Sequence, residues 1–258
     1  MLVESWRNCS FELPPYLFSR DNFLKDGPYS NFICDYRSFS DFIDSKEFCS
    51  VSDTRLHVGL LPIPYIGNLQ KSSVFILMLN PGLGPGDYFA EHTIKNYRVA
   101  LIKNLRQDNT NDEYPFLFLD PQFSWHPGFV YWQSKLHEII TQLADQSNYQ
   151  ASLKQLAQNI SCLQLVPYHS KSFHFPPSIL RKLGSTKLII EYVQDELAPK
   201  ARREDILVIV IRGKSIWNLP KHKNIIIYES NEARFARLTL SSHGGKAIAQ
   251  QLNLSRGS

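Results

Sequence analysis

The stretch Val74-Phe75-Ile76-Leu77-Met78-Leu79-Asn80-Pro81-Gly82-Leu83-Gly84-Pro85-Gly86-Asp87-Tyr88 decides the fold. Its first half is a short, unbroken apolar run with branched residues. That is the pattern of a strand buried on both faces of a parallel sheet. Its second half is a loop rich in Pro and Gly. The loop starts at the strand's carboxyl end, where open α/β sheets hold their ligands. Glycine lets backbone come close to a ligand, and proline stiffens the approach. Asn80 stands at the first bend, with an amide that both donates and accepts.

Working outward, three more strands are expected at Ile160 to Val166, Ile206 to Ile211, and Ile225 to Tyr228. Helical patterns lie between them. Residues 91–106 read as partly helical. Residues 131–146 place Trp132, Leu136, Ile139, Ile140 and Leu143 on one face. Residues 186–197 read as amphipathic, and 244–252 as a short closing helix. Alternating strands and helices predict a mainly parallel sheet of about four strands covered on both faces, a three-layer α/β/α fold. The loops Asn80-Pro81-Gly82, Pro167-Tyr168-His169-Ser170 and Arg212-Gly213-Lys214 then gather along one sheet edge. That edge is the expected active site.

Residues 1–56 are rich in Phe, Tyr, Ser and Asp, lack clear periodicity, and contain Pro14-Pro15 and Gly27-Pro28. They read as an N-terminal cap of short helices and loops. Their aromatics would pack on a main domain of residues 57–258. A chain of 258 residues has ample length for a core. The net charge of +4 is unevenly spread: residues 1–60 hold nine acids against six bases, and residues 171–223 hold eleven bases against five acids. The basic stretch suits either a polyanionic partner or a solvated face. Cys9, Cys34, Cys49 and Cys162 form no CxxC pair, so neither a metal nor a cofactor is expected, only free thiols in a reducing compartment. The N-terminus lacks the apolar core of a signal peptide, and no run is long enough to cross a membrane. A cytoplasmic monomer is expected. Neither GxGxxG nor GxxxxGK[ST] is present, which argues against a nucleotide-binding enzyme.

Asn80-Pro81-Gly82-Leu83-Gly84-Pro85-Gly86 resembles the first motif of the uracil-DNA glycosylase superfamily. One branch carries Asn-Pro-Gly after its first strand, and another carries Asp-Pro-Tyr-His-Gly-Pro-Gly. The preceding Leu61-Pro62-Ile63-Pro64-Tyr65-Ile66-Gly67-Asn68 is similar to the lead-in of a bacterial group of these proteins. The resemblance extends from about His57 to about Ala247. It implies an enzyme that flips a base out of duplex DNA and hydrolyses its N-glycosidic bond through an oxocarbenium-like state.

The resemblance also assigns roles. Asn80 would orient the attacking water. Asp87 either adds a carboxylate to that task or serves the turn at a helix start. Gly82 stands where the uracil-specific branch has a tyrosine that excludes 5-substituents. It either leaves room for such a group or serves backbone geometry while another residue fills the gap. Phe116 or Phe118 would floor the base, with Phe116 preferred; stacking contributes roughly 1–3 kcal/mol. Either ring could equally be core. Gln164 stands where relatives read the pyrimidine edge with asparagine. His169 and Ser170 would contact a phosphate or a base substituent. The superfamily's last motif, His-Pro-Ser, is absent after the fourth strand. Asn231 and Arg234 are the nearer candidates for base or duplex contact, with His243 further on. By their charge, Arg212, Lys214 and the cluster at 200–203 suit either phosphate contact or a solvated surface.

The bacterial group includes a defence enzyme against phages whose DNA carries glucosylated hydroxymethylcytosine. The expected substrate is therefore a 5-substituted cytosine in double-stranded DNA. The alternatives are a repair enzyme for uracil or mismatched thymine, and a non-catalytic nucleic-acid binder with this fold.

Overall fold

The computed structural model describes residues 1–50, 52–145, 147–229 and 238–252. Two short strands, β1 (Ile33–Cys34) and β2 (Leu56–His57), pair in parallel in the N-terminal region. Five more form the central sheet: β3 (Tyr65–Ile66), β4 (Val74–Met78), β5 (Ile160–Gln164), β6 (Leu207–Val210) and β7 (Ile225–Ile227). Their order is β3-β5-β4-β6-β7. β3 runs antiparallel to β5, and the other neighbours are parallel. The chain is thus an α/β protein with a mixed, mostly parallel sheet.

Every residue of β4, β5 and β6 is buried, as their near-continuous apolar sequences require. β7 is the edge strand and is only partly buried. β5 tolerates its two polar residues by placement. Ser161 Oγ meets Ser72 Oγ at 2.8 Å, and Gln164 lies at the strand's carboxyl end.

The sheet has one strand more than the four expected. β3 was hidden by Pro62 and Pro64, which weaken a strand reading. Pro64 lacks an N–H, yet its carbonyl still accepts from Gln164 N at 2.8 Å. Gly67 ends the strand at φ 102, where a Cβ would lie 2.5 Å from the Ile160 carbonyl oxygen. Only glycine fits that approach.

Helices fill the expected windows in smaller pieces. Pro85–Thr93 and Lys95–Arg106 follow β4, and Pro127–Lys135 and His137–Ala144 carry the apolar face around Trp132. Gly184–Tyr192 passes through a π turn, Val193–Leu197, into Ala198–Arg202. Pro199 cannot donate to a carbonyl one turn back, which suits a widened turn there. His243–Gln251 lies near the C-terminal end of the described chain.

The N-terminal aromatics Trp6, Phe11, Tyr16 and Phe18 belong to the same buried cluster as β4 to β6. A fully buried side chain of this kind stabilises a fold by about 1.5–3 kcal/mol. Polar ties accompany them. Phe18 N donates to Tyr168 Oη at 3.0 Å, and Arg98 donates to the Phe11 carbonyl at 2.7 Å.

Candidate active site at the carboxyl edge of the sheet

The chain leaves β4 for β5 on one side and later returns to β6 on the other. β4 is therefore the switch point, and a crevice is expected beyond its carboxyl end. A cavity of about 570 Å³ lies there. Its lining includes Asn80, Gly82, Asp87, Gln164, His169, Ser170 and Arg212 from the expected set.

Asn80 sits two residues past β4. Its Nδ2 donates to the Pro81 carbonyl at 2.8 Å, the Tyr168 carbonyl at 3.2 Å and Ser170 Oγ at 2.9 Å. Carbonyls only accept, so the group facing them must be the NH2. Its Oδ1 makes no hydrogen bond to the described residues, and Asn80 lines the cavity. Ser170 is the clamp's second jaw: its backbone N donates to the Pro81 carbonyl at 3.2 Å, and it bridges Gly82 in parallel register.

Gly82 has no strained backbone, and a Cβ built there would meet nothing within 4 Å. Its missing side chain is open space rather than a conformational need. Gly86, by contrast, faces Pro127, whose Cγ lies 3.3 Å from a built Cβ, and it does not line the cavity.

Asp87 serves the turn and faces the cavity as well. Its Oδ2 accepts from Gly84 N at 2.6 Å at the start of helix Pro85–Thr93. Its Oδ1 lies 3.3 Å from His126 Nε2. Burial opposes ionisation, but His126, His169 and the Gly84 N–H outweigh it and hold the carboxyl below its ordinary range. His126 Nδ1 accepts from Gly128 N at 2.9 Å, and its Nε2, though 3.3 Å from Asp87 Oδ1, is buried without a hydrogen-bond partner among the described residues. The ring is stacked between Tyr97 and Phe118, with centroids at 4.5 and 5.4 Å. His169 donates from Nδ1 to the Gly82 carbonyl at 2.8 Å. Burial pushes its pKa down, against the pull of Asp87 and the Gly82 carbonyl.

Gln164 is 7% exposed, and its Oε1 is buried without a hydrogen-bond partner among the described residues. Such an atom is costly unless something occupies it. Its Nε2 reaches only Cys162 Sγ, at 3.7 Å.

Two expected placements change. Phe116 does not line the cavity; it is fully buried, edge-on to Trp132 at 5.0 Å. Phe118 lines the cavity instead, because the short 3-10 turn Leu117–Leu119 redirects the chain between the two rings. Lys214 does not reach the cavity; it pairs with Glu229 at 2.8 Å on the outer surface, while Arg212 lies at the rim. Asn231 and Arg234 lie outside the described residues.

His126, Tyr131 and Lys171 also line the cavity and were not singled out from sequence. For His126 the available signal was His126-Pro127-Gly128, a breaker pair at the start of the Trp132 helix. Lys171 Nζ donates to the carbonyls of Glu47, Phe48 and Ser50 at 2.6, 2.9 and 2.8 Å, which ties the N-terminal region to the rim.

Among the described residues, no helix is long and apolar enough to cross a membrane. No protein-family model, curated protein or solved structure matches the chain.

Proposed function

We propose that this chain is a monofunctional DNA glycosylase that flips a modified pyrimidine and hydrolyses its N-glycosidic bond, leaving an abasic site. The observation that carries the reading is Asn80. Three acceptors hold its amide NH2 and leave its carbonyl oxygen at a cavity on the switch-point strand. That oxygen is suited to accept from a water and aim it at the sugar carbon. The residue falls within the stretch that resembles the first motif of the uracil-DNA glycosylase superfamily. The mostly parallel sheet is compatible with the three-layer α/β/α arrangement of such enzymes.

The other residues take complementary roles. Asp87, held ionised beside His126, adds negative charge near a developing sugar cation. Gln164 Oε1 is a free acceptor for the amino edge of a cytosine. Open space at Gly82 admits a substituent at the pyrimidine 5-position. These two features favour a 5-substituted cytosine, such as a glucosylated hydroxymethyl base of phage DNA, over uracil. Arg212 at the rim is placed for a phosphate. The partner is duplex DNA, and the protein acts as a cytoplasmic monomer.

Asn80→Ala tests the reading. Base release should fall by roughly 10²-fold or more, the scale of a misplaced reactant. Binding to duplex DNA, which depends on phosphate contacts, should be nearly unchanged. Full base release by folded Asn80→Ala would remove the water-positioning role.

A further inference from the structure

Three side chains meet in the N-terminal region, Cys34 distant in sequence from the other two. Cys34 lies on β1, His57 on β2, and Asp53 in the loop before β2. Cys34 and His57 are register partners in the parallel ladder. All three residues are buried, and one ligand atom from each lies within 4.8 Å of the other two. Cys34 is a free thiol.

We propose that Cys34, Asp53 and His57 bind a divalent metal ion of borderline softness, zinc foremost. A thiolate, an imidazole and a carboxylate are the donor types such an ion takes, and three protein donors leave a fourth position for water. The surroundings already hold these groups in ligand-like poses. Asp53 Oδ2 lies 3.0 Å from His57 Nε2, while Arg55 Nε donates to Oδ1 at 3.1 Å and leaves Oδ2 on the histidine side. Tyr88 Oη lies 3.1 Å from His57 Nδ1, the outer partner that orients a ligating imidazole. Glu47, bonded to both Arg55 and Tyr36, holds the guanidinium in place.

Binding balances simply. The Cys34 thiol proton leaves to solvent and sulfur gains a bond to the ion. His57 would carry its ring proton on Nδ1, donating a hydrogen bond to Tyr88 Oη, which leaves Nε2 for the ion. One proton is released per ion.

The ion has a structural task. A parallel pair of two residues per strand is marginal by itself. A bridge from Cys34 to His57 would fasten β1 to β2. The His57 N–H in turn donates to the His169 carbonyl at 2.8 Å, beside the cavity. This inference does not depend on the glycosylase reading.

The test titrates the full chain with Co2+ and then with Zn2+. One equivalent of cobalt should bind, with a near-ultraviolet thiolate charge-transfer band and visible tetrahedral bands, all displaced by zinc. Cys34→Ser should lose the charge-transfer band and weaken binding by at least about tenfold. Cys49→Ser, at an exposed thiol, should keep both. Zinc should raise the Tm of the wild type and not of Cys34→Ser. A charge-transfer band that survives Cys34→Ser overturns the site. So does the lack of a zinc equivalent on the loaded, desalted wild type, a readout independent of how the variant folds.

Discussion

Asn80→Asp separates the clamp on this side chain from any chemistry it performs. The change is nearly isosteric and replaces the NH2 with oxygen. Two N–H groups now serve three acceptors at 2.8 to 3.2 Å. A carboxylate there would face two carbonyl oxygens with nothing to donate. Two lost hydrogen bonds at about 0.5–1.5 kcal/mol each give a loss of about 1–3 kcal/mol, before any repulsion between acceptors. For a chain of this size each kcal/mol lowers Tm by roughly 2–4 °C.

The loss should depend on pH. The introduced carboxyl is disfavoured as an anion in the fold, so its folded pKa lies above the unfolded value of about 3.9. Stability is then present below that value and lost as pH rises through the folded pKa. Thermal melts of wild type and Asn80→Asp should therefore diverge at neutral pH and converge toward pH of about 4. Equal melting temperatures at neutral pH would refute the clamp, whatever the activity of the protein.

Other outcomes follow from the same geometry. Gly82→Ala should leave folding and base release unchanged, because a Cβ there meets nothing within 4 Å; Gly82→Tyr should abolish release of a 5-substituted base while duplex binding survives. Normal release by folded Gly82→Tyr places the substituent elsewhere. Burial pushes the Glu91 carboxyl up to about 8, against the Leu61 N–H and Arg98. Its contribution to stability should be lost as pH rises from about 4.3 through that value, so Glu91→Gln should flatten the Tm decline seen in wild type; parallel curves contradict this. His126→Phe keeps a ring between Tyr97 and Phe118 but removes the nitrogen 3.3 Å from Asp87 Oδ1. The acid limb of the pH–rate profile should then shift to higher pH, and an unmoved limb means that His126 does not hold Asp87 ionised.

The parts legible in the sequence are those whose signal is local. β4, β5 and β6 are buried on both faces, so their apolar runs are nearly unbroken and their existence was readable. Asn80, Gln164 and Arg212 follow or end those strands, so shared sheet geometry brought them to one edge. The rest depended on contacts distant in sequence. β3 is a strand only because β5 supplies its partner across two prolines. Phe116 and Phe118 differ by a turn that the alternation of residues does not encode. His126 reaches Asp87 through the packing of separate helices. Cysteine spacing argued against a metal, yet the register of β1 against β2 placed Cys34 beside His57.

The most direct measurement is base release from defined duplexes. The wild-type protein is incubated with unmodified DNA, uracil-containing DNA, and phage DNA carrying 5-substituted cytosines including the glucosylated hydroxymethyl base. Abasic sites and free bases are then quantified, with Asn80→Ala as the control. The account predicts abasic sites in the 5-substituted DNA, few or none in the other two, and at least about a hundredfold slower release with Asn80→Ala. Release of uracil alone would contradict the pocket assignment at Gly82 and Gln164. No release from any of the three by a folded protein that still binds duplex DNA would contradict the glycosylase reading itself.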